Sequence, residues 1–210
     1  MHITPEQLRL YAVTDRRWLS GKSLCEQVEQ AIHGGVTCVQ LREKELDKEQ
    51  FLQEAIAMKA VCAKYGVPLI INDSIEIAKA SGADGIHVGQ KDCAAQEVRR
   101  LLGNDIILGV SAATVEEARK AEADGADYIG CGAVFSTSTK TNTRAVDNKL
   151  LAEICAAVSI PVVAIGGITA ENAVQLKGTG IAGTAVVSAI FAQADARAAA
   201  EQLRRLEVWK

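Results

Sequence analysis

Residues 39–44 read V-Q-L-R-E-K, so a run that begins like a buried strand ends in three charged residues. Side chains alternate between the two faces of a strand, which places Gln40, Arg42 and Lys44 on one side. The chain therefore directs one amide and two cations to the place where this strand ends. Arginine and lysine placed together are suited to binding phosphate oxygens.

The elements that would position these side chains alternate regularly along the chain. A helical segment ends at a glycine or a polar turn, a short aliphatic run follows, and another polar turn begins the next helix. Eight units of this kind in 210 residues match a small (β/α)8 (TIM) barrel. A doubly wound open sheet is the alternative, but it usually has fewer strands. The predicted strands are 10–15, 36–43, 68–73, 85–90, 106–111, 128–135, 161–167 and 183–189.

Helix boundaries are marked by capping residues and glycines. Three pairs have the spacing of a capping box that opens a helix: Ser23 with Glu26, Asp47 with Gln50, and Thr114 with Glu117. Glycines stand where helices should end: Gly34–Gly35, Gly66, Gly82, Gly125 and Gly180. No linker or change in composition divides the chain, which predicts a single TIM-barrel catalytic domain over residues 1–210.

Composition narrows the class of protein further. Hydrophobic residues make up 49% of the chain and aromatic residues 4%, which predicts an aliphatic α/β core. A net charge of −3 offers no basic face, so neither nucleic acid nor a membrane surface is expected as a partner. The N-terminus lacks the features of a signal peptide. The six cysteines form no C-x-x-C pair, and together these features predict a cytoplasmic protein with reduced thiols.

Polar side chains collect at one end of the predicted barrel. Active sites of such barrels lie at the C-terminal ends of the strands, whereas the other end serves stability. The N-terminal ends of these strands carry mainly Gly, Pro, Ala and Thr. This asymmetry predicts a catalytic mouth. The residues at these strand ends are Thr14–Asp15, Gln40, Arg42, Lys44, Asn72–Asp73, Gln90–Asp92, Ser111, Thr137–Lys140, Gly166–Gly167 and Val187–Ser188.

One group of these residues predicts a diphosphate site with a metal. Asp73 and Asp92 follow neighbouring strands and supply two carboxylates. Mg²⁺ takes few protein oxygens and completes its shell with water and substrate phosphate, so two carboxylates suit it. With Arg42, Lys44 and Lys140 nearby, the set describes a metal-assisted diphosphate site. Mutual neutralisation of cations and carboxylates is the simpler alternative.

A second group predicts a site for a single phosphate. Gly167 and the Val187–Ser188 pair follow strands seven and eight, where barrels of this kind often bind phosphate through backbone N–H groups. Each signal also has an ordinary structural explanation. Asn72–Asp73 suits a helix N-cap, Gly166–Gly167 suits a tight turn, and residues 136–144 suit a solvated loop. His87 is predicted to be a hydrogen-bonded core residue. The functional interpretation depends on all these residues meeting at one rim.

The sequence resembles the thiamine-phosphate synthase family over almost its whole length. The motifs that carry the resemblance are LYAVTD (10–15), VQLREK (39–44), PLIIND (68–73), GADGIHVGQKD (82–92), LGVSA (108–112), GADYIGCGAVFSTSTK (125–140), IPVVAIGGI (160–168) and AVVSAI (185–190). The resemblance implies a TIM-barrel transferase that condenses 4-amino-2-methyl-5-(diphosphomethyl)pyrimidine with 4-methyl-5-(2-phosphoethyl)thiazole. Thiamine phosphate and pyrophosphate would be the products, Mg²⁺ the cofactor, and a homodimer the expected assembly.

The resemblance also implies a role for each residue of the mouth. Asp73 and Asp92 would hold Mg²⁺, and Arg42, Lys44, Ser111 and Lys140 would be catalytic. Ligands of the pyrimidine diphosphate would be Gln40, Arg42, Lys44, Asn72, Ser111 and Lys140. Ligands of the thiazole phosphate would be Thr137, Thr139, Gly167, Val187 and Ser188.

The loop 136–148 would keep water from the reacting carbon, but it departs from the family pattern. Ala133 and Ser136 stand where the family often has prolines, and residues 141–146 replace a segment that usually contains Pro-Leu-Gly. Two other functions are compatible with this barrel. A thiazole tautomerase-like isomerase would need an acid–base residue near the thiazole, and Ala112–Ala113 offer none. A non-catalytic regulator that binds thiazole phosphate would have no use for the diphosphate cations.

Overall fold

The structure is a computed structural model that describes residues 3–19, 21–89, 95–137 and 145–209. Its strands form a closed parallel barrel in which each strand pairs with its neighbours in sequence and the last pairs with the first. The predicted (β/α)8 TIM barrel is confirmed. Seven of the eight predicted strands contain the observed strand, and β5 extends one residue beyond its predicted end at 111. The strands are β1 Leu10–Val13, β2 Cys38–Leu41, β3 Leu69–Asn72, β4 Gly85–Val88, β5 Ile107–Ala112, β6 Tyr128–Cys131, β7 Val162–Ile165 and β8 Gly183–Val186.

Helices surround the barrel, with one irregular unit. Between β7 and β8 the chain forms a short 3₁₀-helix, Ala173–Leu176, where the other connections contain an α-helix. None of the helices in the described ranges combines the length and apolarity that crossing a bilayer requires. The helices are α1 Leu24–His33, α2 Lys48–Lys64, α3 Ile75–Ser81, α4 Ala95–Leu102, α5 Val115–Ala123, α6 Asn148–Ala157, α7 Ser188–Phe191 and α8 Ala196–Arg205.

The predicted helix boundaries have local physical causes. Ser23 and Glu26 form a reciprocal capping box at the start of α1, and Asp47 caps α2 by accepting the Gln50 N–H. Thr114 caps α5, but the Glu117 carboxylate accepts the Ala113 N–H instead of returning to Thr114. Gly82 ends α3 in the left-handed conformation with φ 66°. The prediction at Gly180 is wrong in detail, since this glycine follows the 3₁₀-helix rather than an α-helix.

Strand alternation divides the core into two layers. Residues facing outward pack under the helices, and residues facing inward fill the barrel, among them Tyr11, Ile70, Tyr128 and Val163. The barrel admits its aromatic side chains because a neighbouring strand carries glycine. A Cβ at Gly109 would overlap the Tyr128 ring and lie 2.5 Å from His87 Nδ1. The packing therefore places two tyrosines and a histidine beneath the mouth.

Candidate active site

The C-terminal ends of the strands open into one cavity of about 470 Å³. It contains apolar wall residues such as Val13 and Ile165 together with polar groups from several strand ends. Residues predicted for both anion sites therefore share one cavity, although Lys44 and Asp73 are not among the residues that line it. The predicted site residues that line it are Gln40, Arg42, Asn72, Ser111, Thr137, Gly167, Val187 and Ser188.

Lys44 and Asp73 lie together at the ends of β2 and β3. Lys44 Nζ donates to Asp73 Oδ2 at 2.7 Å, and Asn72 Nδ2 donates to the same oxygen at 2.6 Å. The helix-cap explanation for Asp73 is wrong, because Ser74 Oγ accepts the Ile77 N–H and caps α3. Asp73 instead has φ 63°, a left-handed conformation that is uncommon outside glycine and recurs at functional sites. Its carboxylate is thereby presented beside predicted ligands.

Hydrogen bonds join two predicted ligands across the floor of the cavity. Gln40 Nε2 donates to the Tyr11 hydroxyl at 2.8 Å, and that hydroxyl bonds the Tyr128 hydroxyl at 2.8 Å. The Tyr128 hydroxyl lies 3.0 Å from His87 Nδ1. On the other side of the ring, His87 Nε2 lies 2.9 Å from Ser111 Oγ. Gln40 and Ser111 are thus held by one continuous chain of polar side chains.

Burial fixes the charge state of this floor. Removal from water raises the pKa of Tyr11 and of Tyr128 well above the ordinary value of tyrosine, so both hydroxyls stay protonated. His87 forms the predicted hydrogen bonds, but it is half-buried and lines the cavity rather than lying in the core. Tyr11 and Tyr128 were not predicted as site residues. Their signal was a rare aromatic residue on the inward face of a strand.

Two glycines shape the opposite wall of the cavity. Gly166 and Gly167 have φ 105° and 63°, conformations that other residues seldom adopt. A Cβ on Gly166 would lie 2.5 Å from Ala133 Cβ, and one on Gly167 would overlap the Ser136 carbonyl oxygen. The tight-turn explanation is therefore correct. The turn also lets the backbone at Gly166 and Gly167 pack closely against residues 133–136 beside the cavity. Val187 lines the cavity just before α7 begins.

Three predicted site residues, Asp92, Thr139 and Lys140, lie outside the described residues, as does part of the predicted 136–148 lid. Among the residues that the structure describes, no group of three or more His, Cys, Asp and Glu side chains could enclose a metal ion. Asp73 supplies a carboxylate at the rim, so the described donor set fits a cation that takes its other oxygens from substrate and water.

The architecture and the site together define a class of protein. A closed (β/α)8 barrel whose strand ends place Arg42 on one side of a cavity and a glycine turn on the other is typical of enzymes acting on phosphorylated substrates. The family model described as thiamine monophosphate synthase matches residues 10–190. The chain belongs to this family.

Similar proteins extend over nearly the whole chain. The thiamine-phosphate synthase of Ruminiclostridium cellulolyticum is 60% identical over 96% of both chains. That of Clostridium tetani is 49% identical over 97% of both. The solved structure of thiamine phosphate pyrophosphorylase from Pyrococcus furiosus superimposes with a TM-score of 0.91 at 35% identity, covering 98% of this chain and 99% of that one.

Proposed function

We propose that this protein is a transferase that catalyses the thiamine-phosphate synthase reaction. It joins the hydroxymethylpyrimidine diphosphate to the thiazole phosphate and releases pyrophosphate. The observation that carries the proposal is one cavity lined by Arg42 on one side and by Gly167 and Ser188 on the other. Such a cavity suits two phosphorylated substrates facing each other. The relatives that are 60% and 49% identical to this chain are named thiamine-phosphate synthases.

The pyrimidine diphosphate binds across the ends of β2, β3 and β5. Arg42 and Lys44 contact the diphosphate, with Asn72 beside them, because charge-assisted hydrogen bonds favour phosphate oxygens. Gln40 donates its amide nitrogen to Tyr11, so its amide oxygen serves as an acceptor for the amino group of the pyrimidine. Ser111, held by His87, contacts the other end of the same ring.

Bond cleavage then separates the pyrimidine from its leaving group. The C–O bond at the pyrimidine methylene breaks, and its electron pair leaves with the diphosphate. Arg42, Lys44 and Lys140 stabilise the negative charge that develops there. The electron-rich aminopyrimidine ring stabilises the remaining cation. The neutral tyrosine floor adds no competing nucleophile, because both hydroxyls stay protonated.

The second bond forms on the other side of the cavity. Gly167, Val187 and Ser188, with Thr137 and Thr139, hold the phosphate of the thiazole through backbone and hydroxyl groups. The thiazole nitrogen donates its lone pair to the methylene carbon and becomes the thiazolium nitrogen of the product. No protein base is needed, because no proton moves in either step. The chain's task is to orient the rings and exclude water.

Mg²⁺ belongs to the proposal, with Asp73 and Asp92 as its protein ligands. When bound, it neutralises charge on the diphosphate oxygens. The single domain, the homodimer and the cytoplasmic location stay predictions. Free thiols at the described cysteines 25, 38, 62, 131 and 155 are compatible with a reducing compartment.

A coupling assay tests the proposed function. Purified protein is mixed with the pyrimidine diphosphate, the thiazole phosphate and Mg²⁺, and thiamine phosphate is detected after oxidation to its fluorescent thiochrome. EDTA is added to a parallel sample. Asp73→Asn and Asp92→Ala are compared with Glu49→Gln, which changes an exposed acid on α2.

We expect product with the unchanged chain and with Glu49→Gln, and its loss with EDTA and with either aspartate variant. Absence of product while thiazole phosphate still binds would overturn the transferase and favour the isomerase or the regulator. Undiminished product in EDTA would remove the metal from the proposal.

A further inference from the structure

An acidic residue stands between the two cations of the proposed diphosphate site in the sequence. Glu43 separates Arg42 from Lys44 in the sequence, and only 8% of its surface is exposed. A carboxylate repels a nearby diphosphate, and the repulsion grows where bulk water is excluded. A buried acid at this position therefore needs a benefit that outweighs its cost to anion binding.

The Glu43 carboxylate closes the turn that follows β2. Its Oε1 accepts the backbone N–H of Lys44 at 2.7 Å and that of Glu45 at 2.8 Å. Its Oε2 accepts Arg16 Nε at 2.8 Å. Both carboxylate oxygens are thus engaged, and two backbone donors outside any helix or strand gain partners. The turn is held by a side chain rather than by backbone pairing.

Neighbouring elements hold the same turn from behind. Thr14, fully buried at the end of β1, accepts the Arg42 N–H at 3.0 Å. Arg16 also forms an ion pair with Glu54 of α2, which connects the Glu43 contact to the helical layer. The backbone on either side of Glu43 is therefore anchored to β1 and to α2.

Glu43 is an ionised acceptor in this setting. Burial raises the pKa of its carboxyl group, but the hydrogen bonds from Glu45 N–H, Arg16 and Lys44 N–H outweigh that effect, so the pKa lies below its usual value. A charged carboxylate forms stronger hydrogen bonds to N–H groups than a neutral side chain does.

We propose that Glu43 is a positioning residue of the diphosphate site. It holds the turn over residues 42–45 so that the side chains of Arg42 and Lys44 reach the same anion, despite the repulsion of its own charge. This inference rests on the proposed function for the identity of the anion.

The sign of one measurement separates positioning from charge. Glu43→Ala and Glu43→Gln remove the same negative charge, so an effect of charge alone would tighten anion binding equally in both. Loss of positioning predicts the opposite, because alanine cannot accept the two N–H groups. The glutamine amide oxygen can still accept them, although its NH₂ group then faces Arg16 and that contact is lost.

The experiment is isothermal titration of each protein with inorganic pyrophosphate in the presence of Mg²⁺. We expect Glu43→Ala to bind about tenfold more weakly, since small displacements of positioned groups have effects of this size or larger. Glu43→Gln should bind with an affinity between those of the alanine variant and the unchanged chain. The KM for the thiazole phosphate, whose site lies at β7 and β8, should stay constant.

Glu45→Ala is the matched control. Glu45 is an exposed acid in the same turn, and it contributes its backbone N–H rather than its side chain to the contact with Glu43. Its removal changes the local charge by the same amount without releasing the turn. We expect unchanged or slightly tighter pyrophosphate binding.

Three outcomes would overturn the inference in different ways. If Glu43→Ala binds pyrophosphate as tightly as the unchanged chain or more tightly, Glu43 acts on the anion only through its charge, and the proposed function stands. Parallel loss of pyrophosphate and thiazole phosphate affinity, with a lower melting temperature, would make Glu43 a residue that stabilises the whole fold. Failure of the unchanged chain to bind pyrophosphate would remove the proposed diphosphate site and this inference with it.

Discussion

Aspartates lie at both ends of the barrel, and their contacts differ. At the N-terminal end, Asp84 and Asp127 each follow Gly-Ala and directly precede a strand. The Asp84 backbone N–H donates to the Leu69 carbonyl oxygen at 2.9 Å, while its carboxylate accepts the Leu69 N–H at 2.8 Å. Asp127 forms the same pair of bonds with Leu108, at 2.7 and 2.8 Å. Each aspartate thus fastens the starts of two neighbouring strands.

At the mouth, the carboxylate of Asp73 is held by side chains instead. Asp73 accepts from Lys44 Nζ and from Asn72 Nδ2, both of them predicted ligands, and 26% of its side chain is exposed. The base aspartates are further tied to cations, Lys59 at Asp84 and Arg99 at Asp127. At the base, the carboxylates of Asp84 and Asp127 bond to the backbone and hold neighbouring strands together. The contacts of Asp73 with Lys44 and Asn72 can instead be replaced by contacts with substrate. Stability and chemistry are therefore separated along the barrel axis.

The largest expected effect is on stability, at the base. Asp127→Ala leaves the Arg99 guanidinium without its buried partner and the Leu108 N–H without its acceptor. We expect the free energy of unfolding to fall by about 3 to 5 kcal/mol, as when one member of a buried ion pair is removed. Urea denaturation measures this loss, and kcat/KM of the remaining folded protein should change little. Glu97→Ala, which breaks an exposed pair with Arg100 on α4, is the control and should leave unfolding unchanged.

The second effect is on catalysis, at the mouth. Arg42→Ala removes a cation from the leaving group, and we expect kcat/KM for the pyrimidine diphosphate to fall roughly 100-fold. Unfolding in urea should stay near that of the unchanged chain, because Arg42 lines the cavity. Arg42→Lys should recover part of the activity, since lysine keeps the charge but loses the planar fork. A loss of stability in Arg42→Ala as large as that in Asp127→Ala would show that residues at the mouth stabilise the fold as much as residues at the base do.

Tyr128→Phe tests the floor that lies between the two ends. The change removes the hydroxyl that joins Tyr11 to His87. We expect a loss of stability of about 1 to 2 kcal/mol, because buried hydrogen-bonding groups lose a partner. Ser111 is held through His87, so KM for the pyrimidine diphosphate should rise while KM for the thiazole phosphate stays constant. If only the KM for the thiazole phosphate changed, these hydrogen bonds would support the thiazole-phosphate half of the site rather than the pyrimidine half.

The smallest effect is expected at the thiols. Burial raises the pKa of Cys62 and of Cys131 to about 12, which leaves almost no reactive thiolate at neutral pH. We expect iodoacetamide to leave both residues unmodified in the folded protein and to modify both after denaturation. Mass spectrometry of the digested protein measures each site. Rapid modification of either in the native state would show that the scaffold opens more readily than its packing indicates.

Much of the fold could be predicted from the sequence because each strand is a short aliphatic run followed by a polar turn. The 3₁₀-helix Ala173–Leu176 could not, since the regular alternation along the chain predicts an α-helix in every connection. The polar mouth was also predictable, because strand direction alone brings Gln40, Ser111 and Ser188 to one end.

Contacts that depend on three or more strands were missed. Tyr11 and Tyr128 meet across the barrel only because Gly109 leaves space between strands, and strand alternation alone does not give that distance. The strand period predicts that Gln40 and Arg42 share a face, and both line the cavity, but β2 ends at Leu41 and the period does not extend to Glu43 and Lys44. It could not reveal that the carboxylate returns to the N–H groups of its own turn, because that contact depends on backbone geometry beyond the strand.

The most direct measurement is the product ratio in a single reaction. Thiamine phosphate is quantified by thiochrome fluorescence and pyrophosphate by ³¹P NMR in the same sample. A cavity that orients the thiazole and excludes water predicts equal amounts of the two products throughout the reaction. Pyrophosphate released in excess would show that water captures the pyrimidine, and a reaction that releases neither product would contradict the proposed transferase outright.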